Sequence, residues 1–147
     1  MLHIYEFEVY KGENNFIVEP FDFNGATQGV DIKDAYESTF DWLKTTLEDY
    51  IIRNIEPPKA TYQNKPLHNG YIIVVGVNVG IETINRVSAA EAARMLEVSP
   101  ARISQLASNH QLETLKRGGT VWVTVDSINQ RLAEMPSAGR PKHALAM

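Results

Sequence analysis

The sequence predicts an α+β fold in which a small antiparallel sheet with one long helix precedes a smaller, mainly α domain. Three patterns predict it. Strand and turn signals fill the first thirty residues, an apolar stripe at helical spacing runs through residues 32–51, and two short helix signals precede a glycine-tipped hairpin in residues 88–124. We place the domains at residues 1–84 and 85–135 and expect a flexible tail at 136–147.

The strands of the first domain are predicted from composition and turn chemistry. Residues 2–9 are rich in aromatic and β-branched side chains, and the turn-forming residues 11–15 separate them from a second strand at 16–19. A third, short strand is expected within residues 26–30. Residues 71–79 are nearly all apolar, which predicts a fourth strand of the same sheet that is covered on both faces.

A long helix is predicted to begin after Asp31, whose carboxylate can accept the free N–H groups of the first turn. Spacings of three and four place seven apolar residues on one stripe, which we expect to pack across the sheet. These residues are Ile32, Tyr36, Phe40, Leu43, Leu47, Tyr50 and Ile51. The helix should end near Asn54, because Pro57 cannot continue it.

The composition excludes several classes of protein. The chain has no cysteine, its four histidines lack metal-ligand spacing, and no phosphate-binding glycine loop is present. We therefore expect no enzyme, no cofactor and no metal. Acidic residues near the N-terminus argue against a secretory signal, and the most apolar segment is too short to cross a bilayer, so we expect a cytoplasmic protein.

The carboxylates of the first domain leave one enzymatic alternative open. Glu6, Glu8, Glu19 and Asp22 can hold Mg²⁺ for nuclease chemistry if they converge. Glu6 and Glu8 alternate with apolar residues, however, and we expect them on the solvent face of the first strand.

The second domain begins with two capped helices. Ser88 and Glu91 form a capping-box pattern, and Ser99 followed by Pro100 restarts a helix after a tight turn. In the second helix Ile103 and Leu106 share one face, while polar side chains occupy the other. This arrangement predicts that one face packs and the other reads a DNA groove.

A hairpin follows, with Gly118 and Gly119 between two β-prone runs, and a last helix is expected at residues 126–135. Basic residues flank the glycines, as suits contact with phosphate. The expected DNA-binding residues of the helix and hairpin are Ser99, Pro100, Arg102, Ser104, Gln105, Ser108, Asn109, Lys116, Arg117 and Thr120. A helix pair or a basic hairpin alone is often only structural; their occurrence together, in this order, favours DNA binding.

Charge is divided unevenly between the halves of the chain. The formal net charge is −4, yet residues 1–86 carry seven Lys and Arg against thirteen Asp and Glu, and residues 87–147 carry seven against five. The acidic total therefore conceals a mildly basic C-terminal part, which favours a chain of two differently charged domains.

The segments VSAAEAARMLEVSPARISQLA and LKRGGTVWVTVDSINQRL resemble the winged helix-turn-helix domains of excisionase and MerR-like proteins. The resemblance implies a recognition helix at residues 99–109 in the major groove of double-stranded operator DNA, with the hairpin as a wing on the flanking backbone. The family often has glycine after this helix, where this chain has Asn109 and His110; we expect Asn109 to take the left-handed turn.

Residues 3–79, with the segment FDFNGATQGVDIKDAYESTFDWLKTTLEDYI, resemble the HicB-type antitoxins. The resemblance implies a partial RNase H-like domain without nuclease residues, which binds and neutralises a small basic HicA-like toxin that cleaves mRNA, while the C-terminal domain represses the operon. The chain departs by Asn24, where the family commonly has proline, and by its winged domain, where many members have a ribbon-helix-helix.

Three hypotheses follow. The first is an antitoxin that represses its own operon, and the second is a stand-alone transcription regulator whose first domain dimerises or senses a ligand. The third is the nuclease. A homo-oligomer, dimer or tetramer, is expected because each domain is small. The tail contains Gly-Arg-Pro at residues 139–141, a weak minor-groove signal, and we expect it to be inert.

Overall fold

The structure is a computed structural model that describes residues 1–135, so the expectations for the tail lie outside the described residues. The chain divides into two compact units, Met1–Ile84 and a second that begins at Asn85. Both contain antiparallel sheet and helix, which confirms the expected α+β character. Over residues 1–135 no helix combines the length and apolar character that crossing a membrane requires.

The first unit is built on a four-stranded antiparallel sheet with strand order β3-β2-β1-β4. Val9 lies opposite Val18 of β2, and Phe7 lies opposite Ile73 of β4, so β1 is a central strand. The strands are β1 (Leu2–Lys11), β2 (Phe16–Pro20), β3 (Thr27–Gly29) and β4 (Tyr71–Asn78).

The long helix of this unit, α1 (Ile32–Ile52), begins as the sequence predicts: Asp31 Oδ1 accepts the backbone N–H of Asp34 at 2.8 Å. The residues of α1 that are buried against the sheet are Ala35, Thr39, Leu43 and Leu47. The predicted stripe is wrong at its N-terminal half. Ile32, Tyr36 and Phe40 are 39%, 42% and 44% exposed, because they lie to one side of the face that contacts the sheet.

The expectation that the fourth strand is covered on both faces is also wrong. Among residues 1–135, β4 pairs with β1 alone and is therefore an edge strand, and its side chains alternate. Ile73, Val75 and Val77 are buried toward the core, whereas Val74 is 58% exposed. An apolar run thus indicates a strand without indicating its position in the sheet.

The second unit has a three-stranded antiparallel sheet with order β5-β7-β6 and three helices. Its core includes Ala92 and Leu96, Ile103 and Leu106, and Ile128, contributed by all three helices. Its elements are β5 (Arg86–Ser88), α2 (Ala89–Leu96), α3 (Pro100–Ser108), β6 (Thr114–Arg117), β7 (Thr120–Thr124) and α4 (Val125–Glu134).

Two buried glutamates contradict the expected solvent face of β1. Glu6 is 7% and Glu8 1% exposed, because residues 61–70, here called the strap, cover them. Glu8 accepts backbone N–H groups from three strap residues, Leu67, His68 and Gly70, at 2.7–2.9 Å. Glu6 likewise accepts the N–H groups of Gln63 and Asn64 at 3.0 Å. The carboxylates fix the loop to the sheet.

These hydrogen bonds hold both carboxylates in the charged form. Burial raises the pKa of Glu8, but the backbone donors of the strap together leave that pKa below its ordinary value. For Glu6, the hydrogen bond from the Asn64 backbone is the largest cause of a lowered pKa. Since both pKa values are depressed in the folded state, their stabilisation is present above the ordinary glutamate pKa and is lost as the pH falls through the folded values.

We predict that Glu8→Gln lowers the free energy of unfolding at pH 7 by about 2 kcal/mol, because an amide nitrogen then faces buried N–H donors. The variant should also lose less stability than the wild type between pH 7 and pH 3. Urea unfolding across this range measures both effects. Glu13→Gln, at an exposed position of the first turn, is the matched control and should change little. Equal stability of Glu8→Gln and wild type at pH 7 would contradict the assigned role.

Candidate nucleic-acid interface

The pair of helices α2 and α3 is set by two serine caps and a left-handed turn. The Ser88 side chain accepts the N–H of Glu91, and the Ser99 side chain accepts the N–H of Arg102, both at 3.1 Å. Between the helices Glu97 adopts φ 58°, which ends α2 and reverses the chain. Pro100 occupies the first turn of α3, where its missing N–H costs nothing.

α3 presents two chemically different faces. Ile103 and Leu106 are 3% and 1% exposed and belong to the core of the unit. The exposed side is polar and carries one cation, Arg102. The exposed candidates at this helix are Ser99, Pro100, Arg102, Ser104, Gln105, Ser108 and Asn109. Core packing of one face fixes the orientation of the other, so these side chains stand on a rigid support.

Arg102 and Gln105 are joined on this exposed face. The Arg102 Nη1 donates a hydrogen bond to Gln105 Oε1 at 3.1 Å. One of the five N–H donors of the guanidinium is used in this contact, and the Gln105 amide nitrogen points away from it as a further donor. The two side chains therefore form one hydrogen-bonding group of the kind that reads base edges.

The hairpin β6–β7 has a two-residue turn. Arg117 pairs with Thr120, and between them Gly118 and Gly119 have φ of 58° and 83°. Two successive positive φ values define the tight hairpin turn whose twist matches that of the strands, and glycine adopts it without strain. In the part of the chain that the structure describes, no heavy atom outside the immediate chain neighbours comes within 4 Å of a Cβ placed at either glycine, so the tip is open.

The charged side chains of the hairpin lie close to this tip. Lys116 is exposed, and the Arg117 Nη1 donates to the Lys116 carbonyl at 2.9 Å. That bond folds the guanidinium back along the strand. Thr120 is also exposed. The tip thus combines two cations, a hydroxyl and an accessible glycine backbone.

The third strand of this sheet, β5, has no counterpart in the sequence prediction. Arg86 pairs with Thr124 of β7, and its guanidinium carbon lies 4.7 Å from the centre of the Trp122 ring. The contact links the start of the unit to the hairpin. β5 has three residues, which are too few to show a periodic pattern in the sequence. The β-branched and aromatic residues of β7 are the one sequence feature that is typical of a central strand with a neighbour on each side.

The left-handed turn after α3 lies one residue later than expected. Asn109 has φ −91° and ψ 11°, whereas His110 has φ 60°. The N–H of Gln111 then donates to the Leu106 carbonyl at 2.8 Å, which closes the helix end. Asn109 therefore continues the exposed face of α3.

The four strand carboxylates of the first unit are engaged separately. Glu6 and Glu8 hold the strap, Glu19 accepts the Tyr10 hydroxyl at 2.5 Å, and Asp22 accepts the Thr61 hydroxyl at 2.7 Å. Among the described residues, no three His, Asp or Glu side chains are grouped as a metal site. The geometry therefore gives no support to the nuclease hypothesis.

No protein-family model and no curated protein matches the chain. Among solved structures, a chain titled as part of a toxin-antitoxin complex from Streptococcus pneumoniae is similar, with 19% sequence identity and a TM-score of 0.48. The alignment covers 75% of this chain and 99% of that one.

We predict that Gly118→Ala lowers the free energy of unfolding of the second unit by about 1 kcal/mol, because an L-residue with a Cβ is strained at φ 58°. Gly118→Asn, whose side chain tolerates that conformation, is the matched variant and should cost less. Thermal unfolding in a Trp42→Phe background, followed by the fluorescence of Trp122 in β7, measures the difference in the second unit. Equal stability of the two variants would show that the turn is not held as described.

Proposed function

We propose that the chain is a DNA-binding transcription regulator whose second unit is a winged helix-turn-helix. In this proposal α2 and α3 form the helix-turn-helix, α3 is the recognition helix and the hairpin β6–β7 is the wing. The observation that carries the proposal is the division of α3: Ile103 and Leu106 are buried, while Arg102 and Gln105 are exposed and joined to each other.

The side chains of α3 suit sequence-specific contact in the major groove. Arginine donates two hydrogen bonds to a guanine edge, and glutamine matches the donor and acceptor of an adenine edge. Ser104, Ser108 and Asn109 are short, exposed and uncharged, so they can approach bases or phosphates without a desolvated charge. The residues on this face thus have the chemistry of base readout.

The hairpin suits contact with the DNA backbone. Lys116 and Arg117 supply positive charge beside a tip that has no bulky side chain. Phosphate contacts of this kind raise affinity for all sequences and depend on salt. The wing is therefore assigned to affinity and the helix to specificity.

The first unit, in this proposal, binds and neutralises a small basic toxin that cleaves mRNA, and the whole chain represses its own operon. The resemblance of residues 3–79 to HicB-type antitoxins supports this assignment. The acidic excess of the first unit supports it as well, because a protein that binds RNA presents basic surface and an acidic partner complements it.

We predict that Arg102→Ala and Gln105→Ala each weaken binding to the operator by about 1–3 kcal/mol and reduce base preference at the contacted positions. Lys116→Ala should weaken binding to all sequences similarly and lower the salt dependence, log Kd against log salt concentration, by about 1. Fluorescence anisotropy with DNA from upstream of the gene, and with scrambled duplex, measures these effects.

Arg53→Ala is the matched control for the arginine variant. Arg53 is an exposed arginine on α1 of the first unit and pairs with Asp49, so its removal changes the net charge equally without touching α3. Its binding should equal that of the wild type. If Arg102→Ala and Gln105→Ala bind the operator as tightly as Arg53→Ala does, α3 is not the recognition helix.

We predict that co-expression of this chain relieves the growth arrest caused by a small basic protein encoded beside it, because binding blocks the RNA-contacting surface of that protein. Plating on an inducible two-plasmid system measures the relief. Arg102→Ala should neutralise as well as the wild type, since the proposed toxin-binding unit is the other one. Operator binding without any neutralised neighbour would favour the stand-alone regulator instead.

A further inference from the structure

The two edges of the first sheet are protected very differently. The β3 edge has three residues, and Gly29 lies so close to α1 that a Cβ on it would stand 2.2 Å from the Ala35 nitrogen. β4 has eight residues, no charged side chain and no proline. A long, uncharged edge strand presents unpaired backbone donors and acceptors that favour pairing with another strand.

Apolar side chains flank the β4 edge on both faces. On the helix side, Tyr36 and Phe40 are 42% and 44% exposed, and they line a groove that runs along the β4 edge at residues 74–76. On the opposite face Ile4 is 37% exposed, and a Cβ at Gly76 would come within 3.4 Å of it, which places Ile4 beside the strand. An apolar surface of this extent around an open strand indicates an interface.

The charges of α1 beside this groove have a self-complementary order. Lys33 and Glu37 form an ion pair of 2.5 Å, and Lys44 and Glu48 form one of 3.0 Å. Spacings of four, seven and four residues place all four on one stripe of the helix. When the helix is reversed about a point between residues 40 and 41, Lys33 exchanges with Glu48 and Glu37 exchanges with Lys44.

This centre lies at the C-terminal end of the part of α1 that lines the groove. Phe40 and Asp41 line the groove together with Val74 and Val75, which are the middle residues of β4. A single two-fold axis can therefore pass beside the middle of both elements.

We propose that the first unit pairs with a second copy of this chain through β4, in antiparallel orientation, to form a continuous eight-stranded sheet. The two α1 helices then lie side by side on one face of that sheet. Lys33 of one copy then faces Glu48 of the other, and Glu37 faces Lys44. Each ion pair within a helix thereby gains two oppositely charged neighbours from the second copy.

Strand geometry limits the register. Residues directly opposite each other in an antiparallel pair have side chains on the same face, and a two-fold axis normal to the sheet keeps each face on its own side. Val74 therefore lies opposite its own counterpart, or Val75 does. In either register Val74 is within about 8 Å of Val74 of the second copy, directly or diagonally.

Charge distinguishes a second copy from a basic partner. Glu37 and Asp41 line the groove, and the ion pairs of α1 contribute two lysines and two glutamates in all. β4 itself is neutral, so the surface has no strong net charge to attract a basic protein. The mirrored order of the charges is what a copy of the same surface requires. This inference does not rest on the proposed DNA binding.

The chain has no cysteine, so a single introduced thiol reports the pairing directly. Val74→Cys places the thiol at an exposed position of β4, and Gln28→Cys places it at an exposed position of β3 as the matched control. A bifunctional thiol reagent with a reach of about 8 Å should convert most Val74→Cys protein at low micromolar concentration to a covalent dimer. It should leave Gln28→Cys monomeric.

The order of the charged residues on α1 allows a second experiment. In the Val74→Cys background, Glu37→Lys should slow cross-linking roughly fivefold, because it opposes Lys44 of the second copy. Adding Lys44→Glu should restore the rate, although it also leaves like charges four residues apart within each helix; circular dichroism checks that both variants keep their helix. Restoration supports the proposed symmetry.

Three results would overturn the proposal: no cross-link at Val74, equal cross-linking at Gln28, or cross-linking of Val74 only to an added second protein. A duplex carrying one operator half-site binds a single second unit, so its binding is unaffected by these results. Failure of the β4 pairing and failure of the proposed DNA binding are therefore separable.

Discussion

From Tyr5 to Val9 every residue of β1 is buried, although two of the five are glutamates. The apolar residues face α1, and the glutamates face the strap. A loop has backbone N–H groups that must find acceptors when it covers a sheet, and Glu6 and Glu8 supply them. Within residues 1–84, a loop held by ionised acceptors thus covers the second face of this sheet at Glu6 and Glu8. The strap crosses β1 and leaves β4 open.

The elements that could be predicted are those with local causes. Asp31 begins α1 because its carboxylate meets the first turn, and Ser99 with Pro100 begins α3 for the same reason. The burial of Glu6 and Glu8 could not be predicted in this way. Alternation along β1 shows that the two share a face, but the strap that covers them has no periodic pattern and comes from residues more than fifty positions away.

The candidate site was predictable to a similar extent. Helical spacing places Arg102 and Gln105 on a different face from Ile103 and Leu106, and the structure exposes the first two and buries the others. The pairing of β5 with β7 depends on residues far apart in the sequence and gave no local signal. The left-handed residue at His110 was missed because asparagine is the commoner choice for that conformation. Contact of these residues with DNA stays a prediction.

In the proposed function, α3 and the hairpin β6–β7 form the surface that contacts DNA. Amide chemical-shift mapping tests it directly: labelled protein is titrated with duplex from upstream of its own gene, and the shifted residues are located in the structure. We expect the largest changes at residues 99–109 and 116–120, with little change in the first unit. DNA binding with unchanged amides throughout α3 would contradict the account.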